Sequence, residues 1–320
     1  MTTVVQHLGF EIDPEGEIDD ALRALGAEVR PYRADAPVEE LVADATVTLN
    51  RDVELSAAVL AAAPRLILIQ RVGVHLYGVD FDYCRAHGIY TAALPSWLIP
   101  GQSIAEHALF LMLLLAKEHR AGQQSIGDRV VSAPMTTGLA GKTLGVLGVG
   151  RTATPLIEMA RAIGMRVIGL KNEVYPGLAA NLRLSWLGTP AELPEFLAQC
   201  DVLSLHVPLS ARTRGLIGAR ELAALPSGAF VVNTARAPIV DYDALLAAVR
   251  SGHLGGVGLD VWWSEPLDPS DPLFLEPRVV ATPHQAGSVR GAHAGVAQYV
   301  AENVRRVIAG EVPRFLVESR

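Results

Sequence analysis

The sequence predicts an α/β protein made of two doubly wound parallel-sheet domains. Three observations carry that prediction. Short β-branched apolar runs alternate with helix-like patterns almost to the end of the chain, the rhythm of βαβ units. The chain has 320 residues, enough for two domains with cores of their own. A glycine turn, Gly148-Val149-Gly150, sits between an apolar run and a helical one, so a second α/β unit starts in mid-chain.

Taken in order, Val4-Val5 is a weak first strand, followed by a helix from Asp19 to Leu25 and a strand from Ala45 to Leu49. A helix over Ser56 to Ala63 precedes a buried strand, Leu66 to Ile69, with Val72-Gly73-Val74 as its turn. Ser103 to Arg120 has the strongest helical pattern, with Gly122 as a stop. Its apolar face is wide, which suits a domain or subunit interface. After Gly141 come a strand over Thr143 to Leu147, the glycine turn, a helix over Thr152 to Ile163 and a strand over Met165 to Leu170. Pro155 falls in the first turn of that helix, where its missing N–H costs nothing. Further strands are expected at Val202 to Leu205, Phe230 to Asn233, Gly256 to Asp260 and Val279 to Ala281. A last helix spans Gly291 to Ala309 and is long enough to return to the first domain.

Composition excludes several function classes. Half the residues are apolar and 19% are charged, which argues against disorder. The net charge is −7 and no basic stripe appears, so nucleic acid is not an expected partner. Cys84 and Cys200 are too few for a disulfide framework and wrongly spaced for zinc, which points to a reducing compartment and to no metal site. The N-terminal residues lack a signal-peptide pattern, and the greasiest stretch, Ile104 to Ala116, is too short to span a bilayer. A cytoplasmic protein with no membrane partner is expected.

The chemistry is concentrated in five places. Gly148-Val149-Gly150-Arg151-Thr152-Ala153 fits GxGxx[G/A], whose first glycine makes a tight turn and whose second lets a pyrophosphate approach the backbone. The phosphates would rest on the helix N-terminus. At the end of the next strand an acid would bind an adenosine ribose, but this chain has Lys171-Asn172. A cation there suits a 2′-phosphate, so NADP(H) is favoured over NAD(H). Downstream, Arg236, Glu265 and His284 supply three different charged groups, separated by 29 and then 19 positions. Brought together, they could grip a carboxylate, orient an imidazole and move a proton.

The strings LGVLGVGR, LSLHVPLSARTRGLIG, VVNTARAPIVDYDAL, GLDVWWSEPL and ATPHQAGS, in this order, resemble the D-isomer-specific 2-hydroxyacid dehydrogenase family, in particular its glyoxylate/hydroxypyruvate reductase-like members. The resemblance runs from about Pro64 to Pro313. It implies a flavodoxin-like substrate domain, residues 1–98 plus 289–320, and a Rossmann NAD(P)-binding domain, residues 99–288, with the active site in the cleft between them. It also implies a homodimer joined through the cofactor domains. Arg236 resembles the substrate-binding arginine, Glu265 the orienting acid and His284 the proton donor and acceptor. His206, Val207 and Pro208 resemble the segment bordering the nicotinamide. Thr234, Ala235 and Asp260 resemble residues beside its ribose and carboxamide, and Arg151, Thr152, Thr213 and Gly287 complete the cofactor contacts.

Backbone N–H groups near Gly73 and Val74 are expected at the substrate carboxylate. The chain departs from the family there: His75 replaces a small glycine, and Leu76-Tyr77 a more polar pair. Trp97-Leu98-Ile99-Pro100 and Trp262-Trp263 add aromatic mass that could shape the mouth of the site, and Ala237 replaces a glycine after the arginine. The implied reaction is reduction of a 2-keto acid, with Arg236 on the carboxylate and Glu265 raising the proton affinity of His284. Glu265 argues against a formate enzyme, whose relatives orient histidine with an amide. Phosphite oxidation and a nucleotide-sensing, corepressor-like role are the alternatives.

Overall fold

The computed structural model describes every residue except 1, 10, 11, 14, 52, 75, 77, 99, 290–292 and 318–320. The chain forms two compact units, residues 1–100 with 288–320, and residues 101–287.

The first unit begins with β1 (Val4–Leu8), α1 (Glu17–Ala24), β2 (Glu28–Arg30), α2 (Val38–Val42), β3 (Val47–Asn50) and α3 (Ala57–Ala61). It continues with β4 (Leu68–Arg71), α4 (Phe81–His87) and β5 (Tyr90–Ala92). All five strands are parallel in the order β2-β1-β3-β4-β5, the flavodoxin-like winding. Every residue of β1, β3 and β4 is buried, as expected of parallel strands covered on both faces. α1 buries Ile18 and Leu22, four residues apart and so on one face. Its Asp19 and Asp20 lie in the first turn, where the helix dipole favours acids.

The second unit opens with α5 (Gly101–Ala116) and α6 (His119–Gly127), then β6 (Thr143–Leu147), α7 (Ala153–Ala162), β7 (Arg166–Leu170), α8 (Leu178–Asn181) and β8 (Trp186–Gly188). After α9 (Leu193–Leu197) come β9 (Val202–Leu205), α10 (Ala219–Ala223), β10 (Phe230–Asn233), α11 (Tyr242–Arg250), β11 (Gly256–Leu259), α12 (Pro272–Leu275) and β12 (Val279–Ala281). The sheet is seven parallel strands in the order β12-β11-β10-β9-β6-β7-β8. Counting from β6, that is the dinucleotide-binding winding with one more strand on the far edge, and the strand order reverses between β6 and β9. One core is built on Phe196, Leu203, Val231 and Leu259; another joins Leu111 and Met112 of α5 to Leu144 and Leu156.

The chain then returns to the first unit as α13 (His293–Ile308), which packs on α1 and buries Val300 and Val304 completely. The C-terminal tail pairs with β5: the Val317 N–H donates to Thr91 O at 2.8 Å.

One element differs from the sequence reading. The helix expected to run to Arg120 stops at Ala116, and Gly122 lies inside α6 rather than ending a helix. The reason is tertiary. Thr137 N–H bonds the Ala116 carbonyl at 2.8 Å, and Glu118 takes a left-handed φ of 45° that turns the chain.

Candidate active site

The expected residues of the second unit gather at the C-terminal ends of its parallel strands. Gly148 follows β6, His206 follows β9, Thr234 to Arg236 follow β10, Asp260 follows β11 and Thr282 to His284 follow β12. In doubly wound sheets this edge binds the ligand, next to the point where strand order reverses.

The glycine turn flanks that point. Gly148 has φ +96°, and a Cβ there would come within 2.7 Å of Val207 Cγ1 and 2.9 Å of the His206 carbonyl. Only glycine fits. Gly150 differs, because a Cβ there would meet nothing within 4 Å. Packing does not require that glycine, whereas a pyrophosphate brought against the backbone would. The N–H groups of Gly148 and Val149 both reach Leu170 O, at 3.0 and 3.3 Å, tying the turn to β7. Lys171 donates from Nζ to Val149 O at 2.9 Å, so its charge lies against the turn. Arg151 and Asn172 are exposed.

His206 joins the turn to β9. Its Nδ1 is 3.3 Å from Thr152 Oγ1 and its Nε2 is 2.8 Å from Ser204 Oγ. Burial depresses its pKa to about 4, so at neutral pH the ring is uncharged. Pro208 is exposed and Val207 half-buried. Thr213 closes the loop beyond them, its hydroxyl donating to Pro208 O at 2.6 Å.

At the end of β10, Asn233 is fully buried and clamps the following loop from both sides of its amide. Oδ1 accepts the Ala235 N–H and Nδ2 donates to Arg236 O, each at 2.9 Å. Sequence reasoning passes over Asn233. Arg236 donates from Nη1 to Ala235 O at 2.7 Å, while its Nε is buried without a partner among the described residues. The buried Thr234 hydroxyl also lacks a protein partner among them. A buried polar atom left unmade is costly, and a ligand with acceptors would satisfy both groups. With the open backbone at Gly150, they make the second unit fit a dinucleotide. Ala237 sits buried in a short 3₁₀ turn, where its methyl group is accommodated.

Glu265 and His284 meet. His284 Nδ1 lies 2.8 Å from Glu265 Oε2, and Glu265 Oε1 accepts the Trp262 N–H at 3.0 Å. His284 has φ +56°, a left-handed conformation that costs a non-glycine residue on the order of 1–3 kcal/mol. Asp260, expected beside the nicotinamide, has no exposed surface. Its carboxylate is taken up by the loop: Thr282 Oγ1 donates at 2.6 Å, and the N–H groups of Gln285 and Ala286 at 2.9 and 3.0 Å. Burial alone would raise its pKa, but the hydrogen bonds from His107, Thr282 and Ala286 outweigh that and hold it low. Gly287 follows this loop.

The two tryptophans do not line a mouth. Trp262 belongs to the core and donates from Nε1 to Thr282 O at 3.1 Å. Trp263 donates to Val240 O at 3.2 Å and packs edge-on against Tyr242. In the first unit, Trp97 is exposed with an edge contact to Phe315. Gly73 follows β4, and its carbonyl accepts the Leu94 N–H at 2.8 Å; Val74 is half-buried beside it. His75, Tyr77 and Ile99 lie outside the described residues.

The comparisons with known proteins agree with this geometry. The sequence profile described as "D-isomer specific 2-hydroxyacid dehydrogenase, NAD binding domain" matches residues 109–286. Glyoxylate reductase of Aeropyrum pernix is 35% identical over 288 residues, 86% of this chain and 83% of that protein. D-3-phosphoglycerate dehydrogenase of Mycobacterium bovis is 36% identical over 295 residues, 90% of this chain but 54% of that protein. This chain therefore spans about half the length of such relatives. A solved structure of a Thermus thermophilus protein superposes with a TM-score of 0.83 at 32% identity, covering 99% of this chain and all of that one. The chain belongs to the D-isomer-specific 2-hydroxyacid dehydrogenase family.

Proposed function

We propose that the protein is a nicotinamide-dependent D-2-hydroxyacid dehydrogenase that reduces a 2-keto acid. The observation that carries this reading is the bonded pair of His284 and Glu265, at 2.8 Å, with His284 at the same C-terminal edge of the sheet as the glycine turn and Arg236. When bound at the glycine turn, a reduced nicotinamide cofactor would supply the hydride that the keto carbon accepts. His284 gives its proton from Nε2 to the developing oxyanion, because Nδ1 faces Glu265. Glu265 keeps that tautomer and orientation. Arg236 binds the substrate carboxylate, preferably as a fork, and polarises the neighbouring carbonyl.

Gly148, Gly150, Arg151 and Thr152 are assigned to the pyrophosphate, and Thr234 and Ala235 to the nicotinamide half. Lys171 supports NADP(H) over NAD(H), since it follows β7, where an acid would accept bonds from the ribose of NAD(H), and its ammonium lies against the glycine turn. A small 2-keto acid of the glyoxylate and hydroxypyruvate kind is the favoured substrate. A homodimer is supported by exposed apolar side chains along α5 and the segment after it: Phe110, Leu113, Ile126, Val130, Val131 and Met135. α6 buries none of its own residues. No helix among the described residues is long and apolar enough to cross a membrane, and both cysteines are free and buried. These features suit a cytoplasmic enzyme.

The test is loss of reduced-nicotinamide absorbance with glyoxylate, hydroxypyruvate, pyruvate and bulkier 2-keto acids, each with NADPH and NADH. Turnover in any combination supports the reading. Silence in all of them, with cofactor binding intact, overturns it in favour of a sensor or another substrate class.

A further inference from the structure

Ser103 and His107 lie four residues apart on α5 and so share one face of it. Ser103 Oγ donates to Ala286 O at 2.9 Å. His107 Nε2 is 2.9 Å from Thr282 Oγ1 and 3.3 Å from Asp260 Oδ1. The hydrogens of this network can be worked out from donors and acceptors. The single proton of Thr282 goes to Asp260, and an ionised carboxylate has none to give. His107 must therefore carry its proton on Nε2 and donate to the pair.

All of these bonds converge on residues 282–286, the loop that carries His284 in its left-handed conformation. Such a conformation persists only where the surroundings over-determine it. Asp260 is the hub, since it collects Thr282 on one side of His284 and the N–H groups of Gln285 and Ala286 on the other. α5 braces the hub through His107 and the far end of the loop through Ser103.

We propose that Ser103, His107 and Asp260 are positioning residues for proton transfer, with α5 serving as the platform that holds His284 in its working conformation. This rests on the reading that His284 exchanges the proton. None of the three needs to touch substrate.

The test uses the full chain with His107→Leu, His107→Gln and Ser103→Ala. Two quantities are measured: hydrogen exchange at the Gln285 and Ala286 amides without any ligand, and kcat, KM and NAD(P)H affinity by fluorescence. His107→Leu should speed exchange at both amides and lower kcat by about ten- to a hundredfold, because a small misplacement of a reacting group has that size of effect. Cofactor affinity should stay within about twofold, a difference well under 1 kcal/mol. His107→Gln can return an amide donor to the Nε2 position and should restore most of both losses. Ser103→Ala should loosen the same loop to a smaller degree.

The proposal is overturned if His107→Leu leaves both amides at the parental rate. It is equally overturned if kcat and cofactor affinity fall in step, or if His107→Gln folds normally yet rescues nothing. Should His107→Leu fail to fold, Ser103→Ala decides, and an unchanged exchange rate there sinks the idea. If the parent reduces no keto acid, the amide exchange still tests the platform, so failure of the functional reading and failure of this one are told apart.

Discussion

Glu265 holds Nδ1 of His284 at 2.8 Å with one carboxylate oxygen, and its other oxygen is fixed by the Trp262 backbone at 3.0 Å. The acid cannot swing away without breaking a bond to the loop that follows β11. The imidazole is thereby held through its Nδ1.

This pair makes the first prediction. His284→Ala should lower kcat by at least about a hundredfold, the usual contribution of a positioned acid. Cofactor binding should survive. Glu265→Gln keeps the shape and removes the charge, so its loss should be smaller than that of Glu265→Ala. Steady-state kinetics with fluorescence titration of NAD(P)H checks both, and near-parental turnover in His284→Ala would rule out its assignment.

The two glycines of the turn should separate stability from binding. Gly148→Ala meets a strained φ and a close approach to Val207 and His206, and should cost roughly 1–3 kcal/mol of stability as well as cofactor affinity. Gly150→Ala has open space around it and should unfold at nearly the parental denaturant midpoint while binding cofactor more weakly. Urea melts and cofactor titrations on the pair test this. Equal destabilisation of both variants would contradict it.

Lys171 sets the third. A hydrogen bond to a charged group is worth about 1.5–3 kcal/mol, or roughly ten- to a hundredfold in affinity. Lys171→Asp should therefore lose NADPH affinity by that factor and shift preference toward NADH. An unchanged NADPH to NADH ratio would remove Lys171 from the cofactor site.

His206 gives a pH prediction. Its folded pKa of about 4 lies below the value near 6.5 of an exposed histidine, so the unfolded chain binds the proton more tightly. The neutral ring stabilises the fold above pH 6.5, and that contribution is lost as pH falls through 4. The full difference is about 3 kcal/mol. Relative to the parent, His206→Asn should show a flatter stability curve between pH 6.5 and 4. Parallel curves from urea melts across that window would count against it.

The exposed arm after α5 supplies the last. Val131→Asp with Met135→Asp puts charges on two side chains that are 87% and 88% exposed, which a lone chain tolerates. If these residues meet a second copy, sedimentation should change from dimer to monomer. An unchanged sedimentation coefficient would move the interface elsewhere.

Much of this architecture was legible in the residues because parallel strands are buried on both faces and so appear as β-branched runs. Val202 to Leu205 and Phe230 to Asn233 begin and end where the sequence suggested. The short pieces at the edge of the first unit were not legible. β2 is three residues with none buried, and little in such a segment distinguishes it from a loop. The end of α5 was missed because Lys117 and Glu118 are good helix formers, and the bond that diverts the chain comes from Thr137, about twenty positions on. Trp262 and Trp263 looked like surface aromatics beside a catalytic acid, yet their indole N–H groups are bonded to carbonyls within the fold. The brace behind His284 was hidden for a similar reason. A histidine on an apolar helix gives no sign of which distant aspartate it will meet.

The connectivity of the two units has a consequence for biosynthesis. Residues 101–287 are contiguous, so on the ribosome that unit has its whole sheet once Gly287 has emerged. The first hundred residues precede it but cannot close their core. Val300 and Val304 of α13, both fully buried there, and the Val317 bond to β5 are made only after the whole of the second unit. The unit begun before residue 101 is completed after the unit it encloses. In the interval its unfinished apolar face is exposed, which is when chaperones would be needed most.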